Sequence, residues 1–138
     1  MLDEPITPKA MAYFMPLRYG TSDPWTLIER LNINLEWTDS LKGDKLGRTN
    51  YSPFGEPVIY LASSIRHSPI KTRVLAHELG HALLQNGVAA YYRVADRGRS
   101  KSEDEAERFA VALLTQLYAE EYGRLPETLE DIQIQYGI

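Results

Sequence analysis

His77 and His81 stand four residues apart, and Glu78 directly follows the first of them, in the run His77-Glu78-Leu79-Gly80-His81. On a helix, residues at that spacing share one face, roughly 5–6 Å apart at Cβ. Their ring nitrogens then converge on a single ion at about 2.0–2.1 Å. Glu78, one position further on, leans over the open side of such an ion. There a carboxylate takes a proton from water and later passes it to a leaving amine. A zinc ion in this setting lowers the pKa of its water to about 7 and polarises a carbonyl. The pattern therefore points to metal-assisted hydrolysis of an amide bond. The plainer reading is a helix with two buried, hydrogen-bonded histidines. Residue frequencies put the pattern in well under about one per cent of chains of this length, and two of the chain's three histidines are spent on it. The third, His67, precedes Ser68-Pro69 and reads as a surface or cap-region residue.

A catalytic zinc takes three protein ligands and keeps a fourth position for water. The chain has no cysteine, so thiolate ligands, thiol nucleophiles and disulfides are excluded. A downstream carboxylate is the natural third ligand. The segment Ser102-Glu103-Asp104-Glu105-Ala106-Glu107 offers several. Glu103 and Glu107 are four apart, so both could face the first helix, while Ala106 and Ala110 allow close packing. The plainer reading is an acidic first turn that favours the helix dipole. It covers Asp104, and Glu105 as the capping partner of Ser102. Gly80 inside a helix costs about 1 kcal/mol relative to alanine, which a close approach by a neighbouring backbone would explain.

These residues need elements to hold them. Residues 1–20 carry Pro5, Pro8 and Pro16 and little periodicity, so 1–22 reads as an N-terminal segment that is extended or partly ordered. Asp23 or Ser22 caps a helix that begins at Pro24, with Trp25, Ile28 and Leu31 on one face. Residues 32–37 alternate as a half-buried strand, with Ile33, Leu35 and Trp37 on one side. A weak strand falls near 48–51, and 58–61 is a short apolar strand. Ser68-Pro69 starts the active helix, which runs to about Gln85 with Gly87 as its stop. Residues 87–101 form a loop. A long helix then starts from Ser100 or Ser102, carries Phe109, Leu113, Leu114, Leu117 and Tyr118, and ends near Gly123. A short helix over 126–135, closed by Gly137, completes the chain. The expected architecture is α+β and zincin-like: a small twisted sheet of about three strands packed against the active helix and a second long helix, with 1–138 as one domain.

Composition is that of a globular chain, with 43 % hydrophobic and 25 % charged residues among 138. The net charge of −4 gives no support for phosphate-backbone binding, so no direct nucleic-acid partner is expected. The uncharged stretches 82–92 and 109–119 are too short to span a bilayer. The acidic, proline-bearing N-terminus does not look like a signal peptide. A cytoplasmic protein follows as the expectation.

The run Val74-Leu75-Ala76-His77-Glu78-Leu79-Gly80-His81-Ala82-Leu83-Leu84, followed by Glu103-x-x-Ala106-x-x-Phe109-Ala110-x-x-Leu113-Leu114, resembles the ImmA/IrrE family of metallopeptidases from phages, mobile elements and bacterial stress systems. The likeness covers roughly residues 25–118. It implies a gluzincin-like site in which His77 and His81 bind zinc, Glu103 is the third ligand and Glu78 the base. Glu107 is then an alternative ligand or a support for a ligand histidine. It also implies a protein substrate, plausibly a helix-turn-helix repressor. One departure is Thr115-Gln116, where the family often continues with Met-Pro. Tyr91, Tyr92 and Arg93 in the loop are candidates for steadying the oxyanion, against a plainer surface role. The rival reading of the whole is a metal-binding interaction module that holds a partner without cleaving it.

Overall fold

The computed structural model of the chain describes residues 6–52, 54–85 and 99–137. The stop expected at Gly87 and the loop candidates Tyr91, Tyr92 and Arg93 lie outside the described residues. Among those described, no helix is long and apolar enough to cross a membrane.

Of the N-terminal segment's two readings, extended or partly ordered, its described residues follow the second. Pro8–Tyr19 is a helix, α1. The Thr7 side chain accepts a hydrogen bond from the Ala10 N–H, Pro8 fits the first turn, and Gly20 closes the end with φ 81°. The apparent obstacle is Pro16, inside the helix, which has no N–H to offer the Ala12 carbonyl. Gln116, on the long helix, donates through Nε2 to that carbonyl at 2.9 Å. Ala12 and Met15 are buried there. A tertiary donor thus replaces the missing intrahelical one.

Asp23 caps α2 (Pro24–Arg30), accepting from the Trp25 N–H at 3.0 Å. Asn32 then turns the chain with φ 56° into the sheet. Strands β1 (Asn34–Thr38), β2 (Gly47–Tyr51) and β3 (Pro57–Ala62) lie in the order β1-β3-β2. β1 runs parallel to β3 and β2 antiparallel to it. β3 is flanked on both sides, and its Ile59 and Leu61 are fully buried, which is why it reads as the most apolar of the three. After a 3-10 turn at Ser63–Ile65 come α3 (Ile70–Leu84), α4 (Arg99–Tyr122) and α5 (Leu129–Tyr136). Thr128 and Asp131 form a reciprocal capping box at the start of α5. The fold is α+β, with a small mixed sheet and, among the described residues, five α-helices.

Helix α3 is the centre of the molecule. It packs against β2 and β3 on one side and against α4 on the other. Leu75, Leu79, Phe109 and Leu113 have no exposed surface. Gly80 marks the closest approach. A β-carbon there would stand 3.0 Å from the Ala106 Cα, 3.0 Å from the Ala106 carbonyl oxygen and 3.1 Å from the Phe109 ring. α4 is already helical at Arg99, so Ser102 lies within it rather than at its cap. Glu105 accordingly points to other work: its Oε1 accepts from Gln85.

Gly80→Ala should raise helix propensity by about 1 kcal/mol yet drive α3 and α4 apart. The net expectation is a loss of about 1–3 kcal/mol, as for other overpacked cores. Urea unfolding checks this; an unchanged or higher midpoint is the contrary result.

Candidate metal centre

The cleft between α3 and α4 gathers the chemistry. His77 and His81 project one helical turn apart from α3, their ring centroids 4.9 Å apart and their planes at 76°. Glu103 reaches across from α4 between them. Its Oε2 is 2.8 Å from His77 Nε2 and its Oε1 is 3.1 Å from His81 Nε2. One ligand atom from each of the three lies within 4.8 Å of the others. Tetrahedral donors on bonds of about 2.0–2.1 Å stand about 3.3 Å apart, so two nitrogens and a carboxylate oxygen at these separations fit a zinc-sized ion after small adjustment. Burial pushes the Glu103 carboxyl up, but the contact with His77 and the charges of both imidazoles outweigh it and hold the group below its usual range. For His77, burial works against the imidazolium; the surrounding Glu107, Glu103 and Glu78 carboxylates prevail and lift it above 6.5.

The far sides of both rings are also occupied. His81 Nδ1 is 2.5 Å from Gln85 Oε1, and Gln85 Nε2 donates to Glu105 Oε1 at 3.2 Å. A carboxylate only accepts, so the amide must turn its NH2 to Glu105 and its oxygen to His81. His81 Nδ1 is therefore the protonated nitrogen, and in the neutral ring Nε2 presents a lone pair to the cleft. His77 follows the same logic with a carboxylate. Glu107 Oε1 lies 3.7 Å from its Nδ1, an electrostatic contact rather than a hydrogen bond, while Glu107 Oε2 is paired at 2.5 Å with Arg73 Nη2. Glu107 stands on the side of His77 away from Glu103's contact and sits below its usual pKa through His77, despite burial, with Arg73 adding to the effect.

Glu78 is on the opposite face of the cleft, toward the sheet, and is only 7 % exposed. Thr49 Oγ1 on β2 is 2.7 Å from Glu78 Oε1 and 3.0 Å from the Glu78 carbonyl oxygen. Burial raises the Glu78 carboxyl above its usual range, against the Thr49 hydrogen bond and the two imidazoles. The side chain fits because residue 47 is glycine. A β-carbon there would stand 2.9 Å from Glu78 Cγ and 3.1 Å from its Oε2. Tyr51, also on β2, donates its hydroxyl to the His81 carbonyl at 2.7 Å. Burial, with the nearby Glu78, pushes that phenol up to about 12.

The model of the Peptidase M78 family, described as the IrrE N-terminal-like domain, matches residues 28–131. The chain belongs to this family. No curated protein matches it. The match takes in α3, α4 and the whole sheet and leaves α1 outside. Membership makes this a peptidase domain whose substrates are proteins, and its possible metal-holding group is His77, His81 and Glu103.

Of the other residues singled out in the sequence, His67 lies before α3, away from this cleft and exposed. Asp104 pairs with Arg108 at 3.0 Å on the exposed face of α4. Sequence reasoning missed Gly47, Thr49, Tyr51, Arg73 and Gln85. Only Gln85 carried a local signal, being one turn beyond His81.

Two outcomes follow for the peptidase domain. Gln85→Leu keeps the side-chain volume but removes the oxygen that orients His81, so affinity for an added divalent metal should fall about 10- to 100-fold with the circular dichroism spectrum unchanged. Protons compete with metal for the imidazole nitrogens. Because His77 is raised, uptake should begin to fall at a pH above the ordinary imidazole value of 6.5 and continue downward. Chelator competition between about pH 7.5 and about pH 5.5 measures this; affinity independent of pH would exclude histidine ligation.

Proposed function

We propose that this domain is a zinc-dependent endopeptidase in which His77, His81 and Glu103 hold the ion and Glu78 is the general base. The observation that carries the reading is the convergence of two imidazoles and one carboxylate beside a buried glutamate that β2 holds in place. The donor set is nitrogen and oxygen, with no thiolate in the chain, which suits zinc in a catalytic rather than a structural setting. Bound zinc supplies Lewis acidity there, acidifying water and polarising the scissile carbonyl.

The remaining steps belong to the protein. Thr49 engages Glu78 Oε1, which leaves Oε2 as the oxygen to accept a proton from the attacking water. The same oxygen returns the proton to the leaving amine nitrogen, so the carboxylate is restored at the end of the cycle. The hydrogen bond from Thr49 and the absence of a side chain at Gly47 fix where Oε2 stands during both transfers. Gln85 and Glu107 hold the rings so that Nε2 of each faces the cleft. In this reading Glu107 orients His77 and is not a ligand.

The resemblance to the ImmA/IrrE pattern supports a helix-turn-helix repressor as the protein substrate and a cytoplasmic setting. All of 1–138 is taken as one domain, with α1 docked on α4.

Metal content of the purified protein, beside three variants, tests the assignment. Wild type should hold about one zinc per chain. Glu103→Ala should lose it, and Glu107→Ala should retain it with lower affinity. Glu78→Gln should keep the metal and lose peptide-bond cleavage by about 100-fold or more, the scale of general-base catalysis. Cleavage by Glu78→Gln at the wild-type rate would overturn the mechanism. Zinc retained with a stable partner complex and no fragments would turn the reading to a binding module.

A further inference from the structure

We propose that a second site, at the N-terminal end of α3, binds a small phosphate monoester with a planar or apolar body, a molecule the size of a mononucleotide. Trp25 on α2 and Trp37 at the end of β1 stack there, with ring centroids 6.3 Å apart and planes within 18°. Trp25 is pinned in place, donating its Nε1–H to Thr72 Oγ1 at 3.0 Å. The Arg66 guanidinium lies 5.4 Å from the Trp37 ring centre, and Lys71 Nζ lies 5.7 Å from that of Trp25. Lys71 Nζ also donates to the Arg66 carbonyl at 3.1 Å, which ties the two together. With His67, these four side chains line an open surface pocket of about 510 Å³.

The charge is what needs explaining. The chain carries net −4, yet no carboxylate lines this pocket. Among the described residues, ion pairs involve Arg73, Arg108 and the two cleft histidines, and none involves Arg66, His67 or Lys71. Long basic side chains do lay their stems over indoles, and that accounts for each cation–ring contact taken singly. It does not account for two permanent cations and an imidazole opening onto one carboxylate-free pocket. The indole faces, electron-rich, take the cations, and the electron-poor ring edges remain for the ligand. A guanidinium fork matches phosphate oxygens in pairs, and the lysine adds a point charge. The volume lies in the range of small-molecule pockets, about 300–1,000 Å³, which favours a compact ligand over a polymer. Lys71 is six residues before His77, about 9 Å along the helix axis, so the site is separate from the cleft and does not rest on the peptidase reading. Trp25 also stands outside the span matched by the family.

The chain has only two tryptophans, and both line the pocket, so its own emission reports occupancy. AMP is titrated into the full chain, excited at the red edge of indole absorption where adenine is transparent, with adenosine and inorganic phosphate in parallel. AMP should change the emission saturably, inorganic phosphate should displace it, and added salt should weaken it. Adenosine should bind at least about tenfold more weakly, because it lacks the charged group. The double variant Arg66→Gln/Lys71→Gln should lose AMP by about tenfold or more while keeping the wild-type circular dichroism spectrum and urea midpoint, which shows that the fold persists. No saturable change with AMP overturns the proposal. So does adenosine binding as well as AMP, a comparison made on the wild-type chain alone, and so does a double variant that binds AMP like wild type.

Discussion

The contact on which the site depends is the backbone approach of α4 to α3 at Gly80. Gly80 lies between Glu78 and His81 on α3, and the backbone atoms it meets belong to Ala106, three residues after Glu103 on α4. Neither partner carries more than a methyl group at the crossing. A larger residue at either position would separate the helices, and Glu103 reaches both imidazoles within 2.8–3.1 Å only because they are not separated. The helix-propensity cost of a mid-helix glycine, about 1 kcal/mol, is therefore offset by geometry. The same crossing brings Gln85 within reach of Glu105 and Arg73 within reach of Glu107, so the outer supports of both rings hang on it as well.

A second glycine plays the corresponding part on the sheet side. Gly47 leaves room for a buried glutamate side chain at the point where β2 crosses α3. Thr49, two residues on, supplies the hydrogen bond. Together they hold a carboxyl in a place where burial disfavours its charge. The cleft thus has two walls with different duties. α4 contributes carboxylates that draw positive charge toward the imidazoles, and β2 contributes one hydroxyl and an absence of bulk. On the proposed reading, a substitution on the α4 wall acts on metal retention and one on the β2 wall on proton transfer.

Legibility in the sequence follows the range of each interaction. His77, Glu78 and His81 are tied by helix period alone, so spacing suffices to place them on one face. The alternation in 32–37 and the apolar run at 58–61 likewise carry their own signal, and both are strands in the fold. Glu103 and Glu107 were indistinguishable by spacing, since both share a face of α4. What separates them is the side of His77 on which each lies, a matter of how two helices cross. Gly47 and Thr49 gave no sign, because β2 has weak strand character and its partner, Glu78, is 29 residues away from Thr49. α1 was not legible as a helix for the same reason in reverse. Three prolines spoke against a helix locally, while the donor that makes Pro16 tolerable is Gln116, which reaches Ala12 from 104 residues further along.

That last bond bears on how α1 and α4 are held together. α1 lies outside the matched span, and Gln116, within α4, lies inside it. A proline at 116 could neither donate to the Ala12 carbonyl nor continue α4 without strain. A side-chain amide at that position answers both needs, since α4 runs on to Tyr122 and α1 docks with its broken hydrogen-bond ladder repaired. The proline-bearing helix docks on α4 because α4 turns a side-chain donor toward it. The result covers the α4 face remote from α3 and fixes α4 from both sides, which steadies the helix that carries Glu103 and Glu107.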